Sequence, residues 1–588
     1  MSPHPPKLIR WLVASLALLA ASARAAESTL ALVIRPAFNG EPLLLDSLRY
    51  QNAAGETLSV TRLSYLLSSF ALERESGGWV EFPGLYAWMD AAKHRGEFHL
   101  PAVPAEKYRA VRFDVGLDPD ANGADSAKWP PDHPLNANLN DLNWSWQGGY
   151  IFLALEGSYR NATGVLQGYA LHFARDPNRT RINLTASIDL THDAAVLLDF
   201  DLGALLNAPR AISFARDGGA THSRDGDPLS AALGANLPGA FRVRQVLSAT
   251  PEISRPTAIQ PLYLPKQFTP YRFTISKMLP IPDLPRDNPL IEERVALGQR
   301  LFSEKRLSHD GSLACASCHQ SASGFSDPRQ FSLGVRDQMG TRHAMPLLNL
   351  AWKSRFFWDG RAPSLRAQAL IPIQDHTEMD ASLNDVTSRL AADPAYPDLF
   401  AAAFDSAEIT SEKIGLALEQ YLLTLTADHS RFDRAMRGQA TLSADEQRGF
   451  ELFMTEYDPR TKRFGADCFH CHGGALFTDH QFHNNGLAPN ETDPGLFRVT
   501  QSEADRNKFA TPSLRNVAQT GPYMHDGRFA TLEQVVAHYS SGVQRSATLD
   551  PNLAKHPEGG LQLSAEDQRA LVAFLQTLSE DLSSPSEN

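Results

Sequence analysis

The chain has 588 residues, of which 43% are hydrophobic, and a formal net charge of −12 at pH 7. A chain of this length is expected to fold into several domains with sizeable cores. The acidic balance gives no basis for nucleic-acid binding, which requires basic surfaces.

The first 25 residues have the pattern of a secretory signal. Lys7 and Arg10 form a basic start, residues 11–21 are apolar, and residues 23–25 form a small-residue cleavage site. A membrane anchor needs about 20 apolar residues, and this stretch is shorter. We therefore expect residues 1–25 to be removed and the mature chain to have no membrane span.

Residues 26–250 have the pattern of an antiparallel, β-sandwich-like domain. Short β-type runs bounded by turn residues occur at 30–34, 110–115, 150–155 and 196–200. Nine prolines then follow between residues 251 and 289, a density that excludes regular helix or central strand. Residues 251–285 are therefore predicted to be an extended, proline-rich linker.

The rest of the chain shows helical patterns and an internal duplication. Gly-x-x-Leu-Phe occurs at 298–302 and 449–453, and Asn-x-Ala followed by Asp-Gly-Arg occurs at 349–361 and 516–528. Capping boxes begin amphipathic stretches at Ser443 and Ser564. We expect two all-α lobes, residues 286–440 and 441–588.

All four cysteines lie in two Cys-x-x-Cys-His motifs, one in each lobe. In this motif the thiols form thioethers with the vinyl groups of a haem, and the histidine binds the iron. A zinc site normally needs four ligands, and no cysteine remains to complete one. The sequence predicts two haem c groups, and because haem attachment follows export, a bacterial periplasmic location. The predicted attachment residues are Cys315, Cys318, Cys468 and Cys471, and the iron ligands are His319 and His472.

Four further motifs lie outside the haem motifs. Three are in the first lobe: residues 357–362, Gln368 with Pro372, and Glu378-Met379. The fourth is residues 522–527 in the second lobe. With them, residues 286–580 resemble the dihaem cytochrome c peroxidases and their MauG and MbnH relatives. The resemblance implies two cytochrome c lobes. It also implies a peroxide-reactive first haem beneath a glutamine and a glutamate, with a tryptophan between the haems.

The residue chemistry agrees with these roles. Cleavage of bound peroxide requires a group that moves a proton between its oxygens, and a carboxylate can do so. We predict Glu378 as this group, Gln368 as a hydrogen-bond donor to bound oxygen, and Trp358 as an electron relay. Pro372 belongs to the same predicted catalytic set.

The loop after the first haem motif departs from the family pattern. Family members that need reductive activation have a distal histidine ligand where Val335 stands here. Valine cannot bind iron, so the resemblance implies an open first haem, although nearby His343 is an alternative ligand. His343 also stands where the family usually has a calcium-binding asparagine, which leaves calcium between the haems an open question.

The distal ligand of the second haem is the other difference. Where peroxidases of the family use methionine, alignment places Tyr539, as in MauG. A tyrosinate favours higher oxidation states of iron than a thioether does. His538 is a competing ligand, and an ordinary packed tyrosine is a third alternative.

The β half carries a second resemblance, in the segments 133–136, 142–157 and 168–173. They resemble MbnP, a periplasmic copper-binding β protein that occurs with MbnH. In that family the haem enzyme oxidises a tryptophan to kynurenine, and the modified residue helps histidines hold copper. Imidazoles suit copper, so His133 and His172 are predicted ligands, with His94 and His99 as further candidates. The tryptophans predicted as possible targets are Trp144, Trp146, Trp88 and Trp129.

The sequence therefore predicts a dihaem peroxidase that uses hydrogen peroxide to oxidise a tryptophan in its own copper-binding β domain. One alternative is a conventional dihaem cytochrome c peroxidase supplied with electrons by a small redox protein, which Tyr539 disfavours. The other is a copper-binding and electron-transfer protein, which the open first haem implied by Val335 disfavours.

Overall fold

The computed structural model describes residues 27–125, 128–143, 149–161, 164–248, 261–276, 278–459, 462–488 and 492–580. Within these residues, a β region from Glu27 to Leu247 is followed by a mainly helical region from Glu292 to Thr577. None of the helices in the described ranges combines the length and apolar character needed to cross a membrane. Trp144, Trp146 and the signal-like segment 1–25 lie outside the described residues.

Two sheets form the β region. Its strands are β1 (Glu27–Phe38), β2 (Glu41–Pro42), β3 (Tyr50–Gln51), β4 (Thr57–Leu58), β5 (Arg62–Arg74), β6 (Trp79–Phe82), β7 (Ala87–Asp90), β8 (Glu97–Pro104), β9 (Lys107–Val115), β10 (Ile151–Arg160), β11 (Leu166–Ala174), β12 (Thr180–Asp189), β13 (Ala194–Asp201), β14 (Ala220–Thr221) and β15 (Phe241–Leu247). Short helices lie between them: α1 (Pro119–Asn122), α2 (Ala137–Asn140), α3 (Leu202–Asn207), α4 (Phe214–Asp217) and α5 (Pro228–Ala240).

The sheets pack face to face around one core. The smaller has the order β15-β13-β1-β2, and the larger runs β12-β9-β5-β10-β11-β14. Strand β12 alternates buried and exposed residues, as a strand with one face on a core must. The rings of Tyr65 on β5 and Phe200 on β13 meet with centroids 5.0 Å apart. The predicted sandwich-like arrangement is therefore confirmed.

The prediction of a fully antiparallel domain is wrong at two strand pairs, which are parallel. Strands β1 and β13 pair in parallel, and so do β11 and β14. Parallel neighbours need a long crossover connection, whereas antiparallel neighbours can be joined by a short turn. Local turn signals in the sequence report only the second kind, so these pairings were missed.

The described part of the proline-rich segment, residues 261–276 and 278–285, contains no helix or strand, and it is fixed to the first lobe. Leu279 is 1% exposed within the core of that lobe. Trp352 Nε1 donates a hydrogen bond of 2.7 Å to the carbonyl oxygen of Pro280. The buried guanidinium of Arg294 donates to the carbonyl oxygens of Leu262 and Tyr263. These contacts hold the described part of the segment in one position.

The helical region repeats one packing arrangement in both lobes. Its helices are α6 (Glu292–Phe302), α7 (Cys315–Cys318), α8 (Leu365–Gln374), α9 (Leu383–Ala391), α10 (Ala395–Phe404), α11 (Ser411–Leu423), α12 (Arg431–Met436), α13 (Ala444–Phe453), α14 (Phe497–Thr500), α15 (Leu532–Ala537), α16 (Pro551–Ala554) and α17 (Ala565–Thr577). Helix α6 packs on α11, and α13 packs on α17. Four two-residue strands also occur, β16 (Tyr457–Asp458), β17 (Arg463–Phe464), β18 (Phe482–His483) and β19 (Phe509–Ala510), so the region is not strictly all-α.

The repeated glycine explains why the two lobes share a sequence motif. A Cβ atom on Gly298 would lie 2.0 Å from the carbonyl oxygen of Ala417, and one on Gly449 would lie 1.9 Å from that of Ala570. Only glycine lets the helix backbones approach this closely. The duplicated Gly-x-x-Leu-Phe motif is thus the contact point of the central helix pair in each lobe.

Candidate active site

Each Cys-x-x-Cys-His motif places its thiols and its histidine on the wall of one cavity. In the first lobe the thiols belong to the single turn α7, and Cys315, Cys318 and His319 line the same cavity. His319 Nδ1 lies 2.9 Å from the carbonyl oxygen of Phe325. When Nδ1 donates this hydrogen bond, Nε2 is the nitrogen that remains for an iron ion.

The second motif has the same arrangement. Cys468, Cys471 and His472 line a second cavity, and His472 Nδ1 lies 3.2 Å from the carbonyl oxygen of Phe477. The pKa of Cys468 is raised to about 12 by burial, as is that of Cys315 in the first lobe. Covalent attachment of haem consumes both thiols of each motif as thioethers. Both donor sets therefore fit covalently attached haem, with one histidine for each iron.

One helix and the loop after it form the far wall of the first cavity. Gln368 and Pro372 of α8 line it, together with Glu378. The Pro372 carbonyl oxygen accepts a hydrogen bond of 3.2 Å from Met379 N, and the Glu378 carbonyl oxygen accepts one of 2.7 Å from Val335 N. The first bond ties the loop to α8 and the second ties it to the segment at Val335, and the three predicted residues line one cavity.

The environment of Glu378 suits proton transfer. Burial, with a smaller contribution from the charge of Asp375, raises the pKa of its carboxyl to about 7, and Arg361 opposes the shift. A group with a pKa near the working pH can both accept and return a proton.

Trp358 lies between the two cavities and lines both of them. Its Nε1 donates to the His343 carbonyl oxygen at 2.9 Å, and its own carbonyl oxygen accepts from Ala510 N at 2.9 Å. The side chain is buried and held by its bond to the first lobe, and the backbone of the same residue is held by a bond from the second lobe. This is the position that an electron relay between two haems requires.

Val335 and His343 differ in their surroundings. Val335 is buried and anchors the loop through its backbone. His343 lines the first cavity, but its Nε2 lies 3.0 Å from Ser326 Oγ and its Nδ1 lies 3.2 Å from the Gln330 carbonyl oxygen. Both ring nitrogens have polar partners, which argues against iron ligation by His343, and the ring offers no oxygen to a calcium ion.

Tyr539 lines the second cavity, within a π-helical turn that directly follows α15. The amide of Asn485 donates to its hydroxyl at 3.4 Å and to the sulfur of Met524 at the same distance. Met524 lines this cavity too. Sequence reasoning named Tyr539 but missed the thioether, although methionine is a common haem ligand. His538 contacts the Asn485 carbonyl oxygen through Nε2, at 3.1 Å, and burial raises the pKa of Tyr539.

The sequence comparisons agree with this geometry. The family model described as di-haem cytochrome c peroxidase matches residues 292–441, and the MbnP model matches residues 27–223. The methylamine utilization protein MauG of Methylorubrum extorquens is 41% identical over 297 residues, which cover 50% of this chain and 80% of that protein. The chain belongs to the dihaem cytochrome c peroxidase family, and an MbnP domain is fused to it.

Other relatives include conventional peroxidases. Cytochrome c551 peroxidase of Nitrosomonas europaea is 34% identical over 312 residues, 51% of this chain and 84% of that protein. Among solved structures, a MauG-like protein associated with microbial copper homeostasis has a TM-score of 0.49 and 34% identity, and the match covers 54% of this chain and 98% of that one.

The MbnP domain contacts the second lobe of the peroxidase region. A Cβ atom on Gly168 of β11 would lie 1.7 Å from the carbonyl oxygen of Pro551 at the start of α16. Asn552 Nδ2 donates to Glu156 of β10 at 3.3 Å. Arg545 donates to the Leu166 carbonyl oxygen at 3.2 Å. The two domains therefore form a close interface beside the second haem motif.

The predicted copper ligands His133 and His172 lie in different places. His133 stacks on Trp129, with ring centroids 4.2 Å apart. His172 instead belongs to a buried cluster with His222 and His470. Sequence reasoning missed both of these partners: His222 carried no signal, and His470 was masked by its place inside a haem motif. The further candidates His94 and His99 lie outside this cluster.

The described target tryptophans also differ. Trp88 is buried, donates through Nε1 to Ser64 Oγ at 2.9 Å, and has Lys93 and Arg95 over its ring. Two neighbouring cations disfavour removal of an electron from that ring. Trp129 is half-buried, and besides His133 its ring contacts Tyr86, with centroids 6.0 Å apart. Lys128 Nζ lies 4.3 Å from the centroid of this ring, so one cation faces Trp129 and two face Trp88.

Proposed function

We propose that this chain is a periplasmic dihaem peroxidase that uses hydrogen peroxide to oxidise a tryptophan of its own MbnP domain to kynurenine. The observation that carries the proposal is the close interface between the MbnP domain and the second lobe. The substrate domain lies beside the second haem cavity, and Trp358 joins that cavity to the first.

The residues of the first cavity have complementary roles. Cys315, Cys318 and His319 would hold the haem of this cavity, which would supply the oxidising chemistry of peroxide. Glu378, when ionised, accepts a proton from peroxide and returns it to the departing oxygen, which leaves as water. Gln368 orients the peroxide by a hydrogen bond.

The overall reaction balances with peroxide as the only oxidant. Tryptophan and two molecules of hydrogen peroxide give kynurenine, formic acid and one water. The tryptophan loses four electrons, which the two peroxides accept. Electrons leave the MbnP domain through the second lobe and reach the first cavity by way of Trp358. The target ring itself does not have to enter the peroxide pocket.

The distal ligand in the second lobe would determine which oxidation state the second haem iron favours. We propose Tyr539 as the distal ligand of the second haem, because it lines the cavity that His472 also lines. An anionic ligand stabilises oxidised iron, which suits oxidation of a protein side chain. The MbnP domain would hold copper, and the signal-like segment 1–25 would direct the chain to the periplasm.

Met524 favours a second candidate function. Its thioether lines the same cavity, at 3.4 Å from Asn485 Nδ2, and a thioether ligand suits a haem that receives electrons. The chain would then be a conventional peroxidase served by a small redox protein. An inert copper-binding and electron-transfer protein has less support, because Glu378 and Gln368 would then have no role.

Peroxide consumption without an added donor separates these functions. The haem-loaded chain is expected to consume two equivalents for each tryptophan converted and then to stop, and the Glu378→Gln variant is expected to react far more slowly. Consumption that requires a reduced small cytochrome, and continues for as long as it is supplied, would contradict self-oxidation and support the conventional peroxidase.

A further inference from the structure

Three histidines from two domains meet in one buried cluster. His172 lies on β11, His222 directly follows β14, and His470 lies between the two thiols of the second haem motif. Their side chains are 3%, 4% and 1% exposed. The ring centroids are 4.9, 5.0 and 5.2 Å apart, and one ligand nitrogen from each lies within 4.8 Å of the others.

Each imidazole has a carboxylate against one of its nitrogens. Glu156 Oε1 lies 2.8 Å from His172 Nε2. Glu456 Oε2 lies 2.5 Å from His222 Nδ1 and 3.1 Å from His470 Nε2. A carboxylate that contacts one nitrogen favours hydrogen there, which leaves the other nitrogen as a metal donor. The carboxylate–histidine hydrogen bond typical of metal sites is therefore present at His172, and Glu456 lies against the other two rings.

The inner nitrogens of two of these rings are already close. His172 Nδ1 and His222 Nε2 are 3.1 Å apart. If the outer nitrogens carry the hydrogens, both inner nitrogens present lone pairs to each other, so a cation must lie between them. Metal-nitrogen bonds of about 2.0 Å in a tetrahedral site place two donors about 3.3 Å apart. The observed spacing matches a bound metal ion as well as it matches a shared proton.

A positive charge beside the cluster, which would repel a metal cation, is already neutralised by carboxylates. Lys555 Nζ lies 3.2 Å from His470 Nε2, and an unpaired ammonium there would repel a metal ion. It forms ion pairs with Glu456 and Asp467. The two carboxylates balance the ammonium and leave the cluster able to accept a further cation.

We propose that His172, His222 and His470 bind one copper ion at the interface between the MbnP domain and the second haem lobe. Imidazole donors suit copper, which also binds more tightly than other divalent first-row ions. The inference rests on the copper-binding role proposed above. It adds a ligand from the peroxidase region, so that the complete site exists only when the two domains are docked.

Copper binding to variants of the haem-loaded full chain tests this assignment. Cu²⁺ alone is titrated into each protein, affinity is measured by calorimetry, and retained copper is counted after desalting. The informative variant is His470→Ser, since the first haem motif has serine at this position, Ser317, and attachment of haem should be preserved. His222→Gln removes a ligand of the MbnP domain, and His192→Ser, an exposed residue, is the matched control.

Wild type and the control should retain one copper ion per chain. Both ligand variants should bind at least about tenfold more weakly, the lower end of what loss of even an outer-shell partner costs. The electron paramagnetic resonance spectrum of Cu²⁺ should lose one nitrogen coupling in His470→Ser. Equal affinity of wild type and His470→Ser, or no retained copper in the wild type, would overturn the proposal.

Failure of the proposed function would look different. Tryptophan oxidation is read by peptide mass, with no copper added. If the chain binds copper through His470 but every tryptophan stays intact, the copper site is supported and the proposed self-oxidation is contradicted.

Discussion

Replacing Glu378 by glutamine tests the buried carboxyl group of the first cavity, because the amide has the same shape but cannot exchange a proton. Burial raises the pKa of this carboxyl from 4.5 to about 7. A shift of that size means that ionising the group costs the folded protein about 3 kcal/mol. The same property that suits Glu378 to catalysis therefore destabilises the fold.

The direction of the stability effect follows from the raised pKa. Below about pH 4.5 the carboxyl is protonated in both the folded and the unfolded chain, so it costs nothing. As the pH rises toward 7 the unfolded chain loses its proton first, and the folded state becomes relatively less stable. Above about pH 8 the full cost, about 3 kcal/mol, applies. Glu378→Gln should therefore stabilise the protein at high pH and have little effect at low pH.

Thermal unfolding and peroxide kinetics on the haem-loaded chain measure the two effects. The melting temperature of Glu378→Gln should exceed that of wild type at about pH 8 and converge with it near pH 4.5. The wild-type rate with peroxide should rise as pH passes through about 7, while the variant should be roughly 10²- to 10⁴-fold slower. Glu75→Gln, at an exposed glutamate, is the control. A variant with wild-type rates, or with a destabilisation independent of pH, would refute the reasoning.

Three other substitutions test separate parts of the structure. Trp358→Phe should leave the first reaction with peroxide intact but abolish kynurenine in peptide mass spectra, because phenylalanine is harder to oxidise; an unchanged yield would exclude the relay. Tyr539→Met should raise the reduction potential of the second haem in spectroelectrochemistry, and an unchanged potential would show that the tyrosine is not its ligand. Gly168→Ala would place Cβ 1.7 Å from the Pro551 carbonyl oxygen and should destabilise the docked domains by about 1–3 kcal/mol in thermal unfolding. Gly239→Ala meets nothing within 4 Å and should not; equal behaviour of the two would contradict the interface.

Features that are local in sequence could be predicted. The haem motifs place the thiols and histidine of each site within five consecutive residues, and the capping box at Ser443 and Glu446 is formed as expected. The grouping of Gln368 with Glu378 also follows from one helix and the loop after it. In each case the chemistry and the geometry come from neighbouring residues.

Features that depend on contacts between distant segments could not be predicted. The parallel pairing of β1 with β13 leaves no trace in local turn signals. The meeting of His172 with His470 requires a domain interface, which is formed by close approach at Gly168. The fixed position of the proline-rich segment likewise depends on the buried Arg294, in the helix that follows it.

Peptide mass mapping of the MbnP domain, before and after hydrogen peroxide is added to the haem-loaded chain, decides whether the protein oxidises itself. We expect one tryptophan within residues 26–250 to lose one carbon and gain one oxygen, the composition change to kynurenine, in the wild type and not in Glu378→Gln. Consumption of peroxide with every tryptophan in that domain unchanged would contradict self-oxidation.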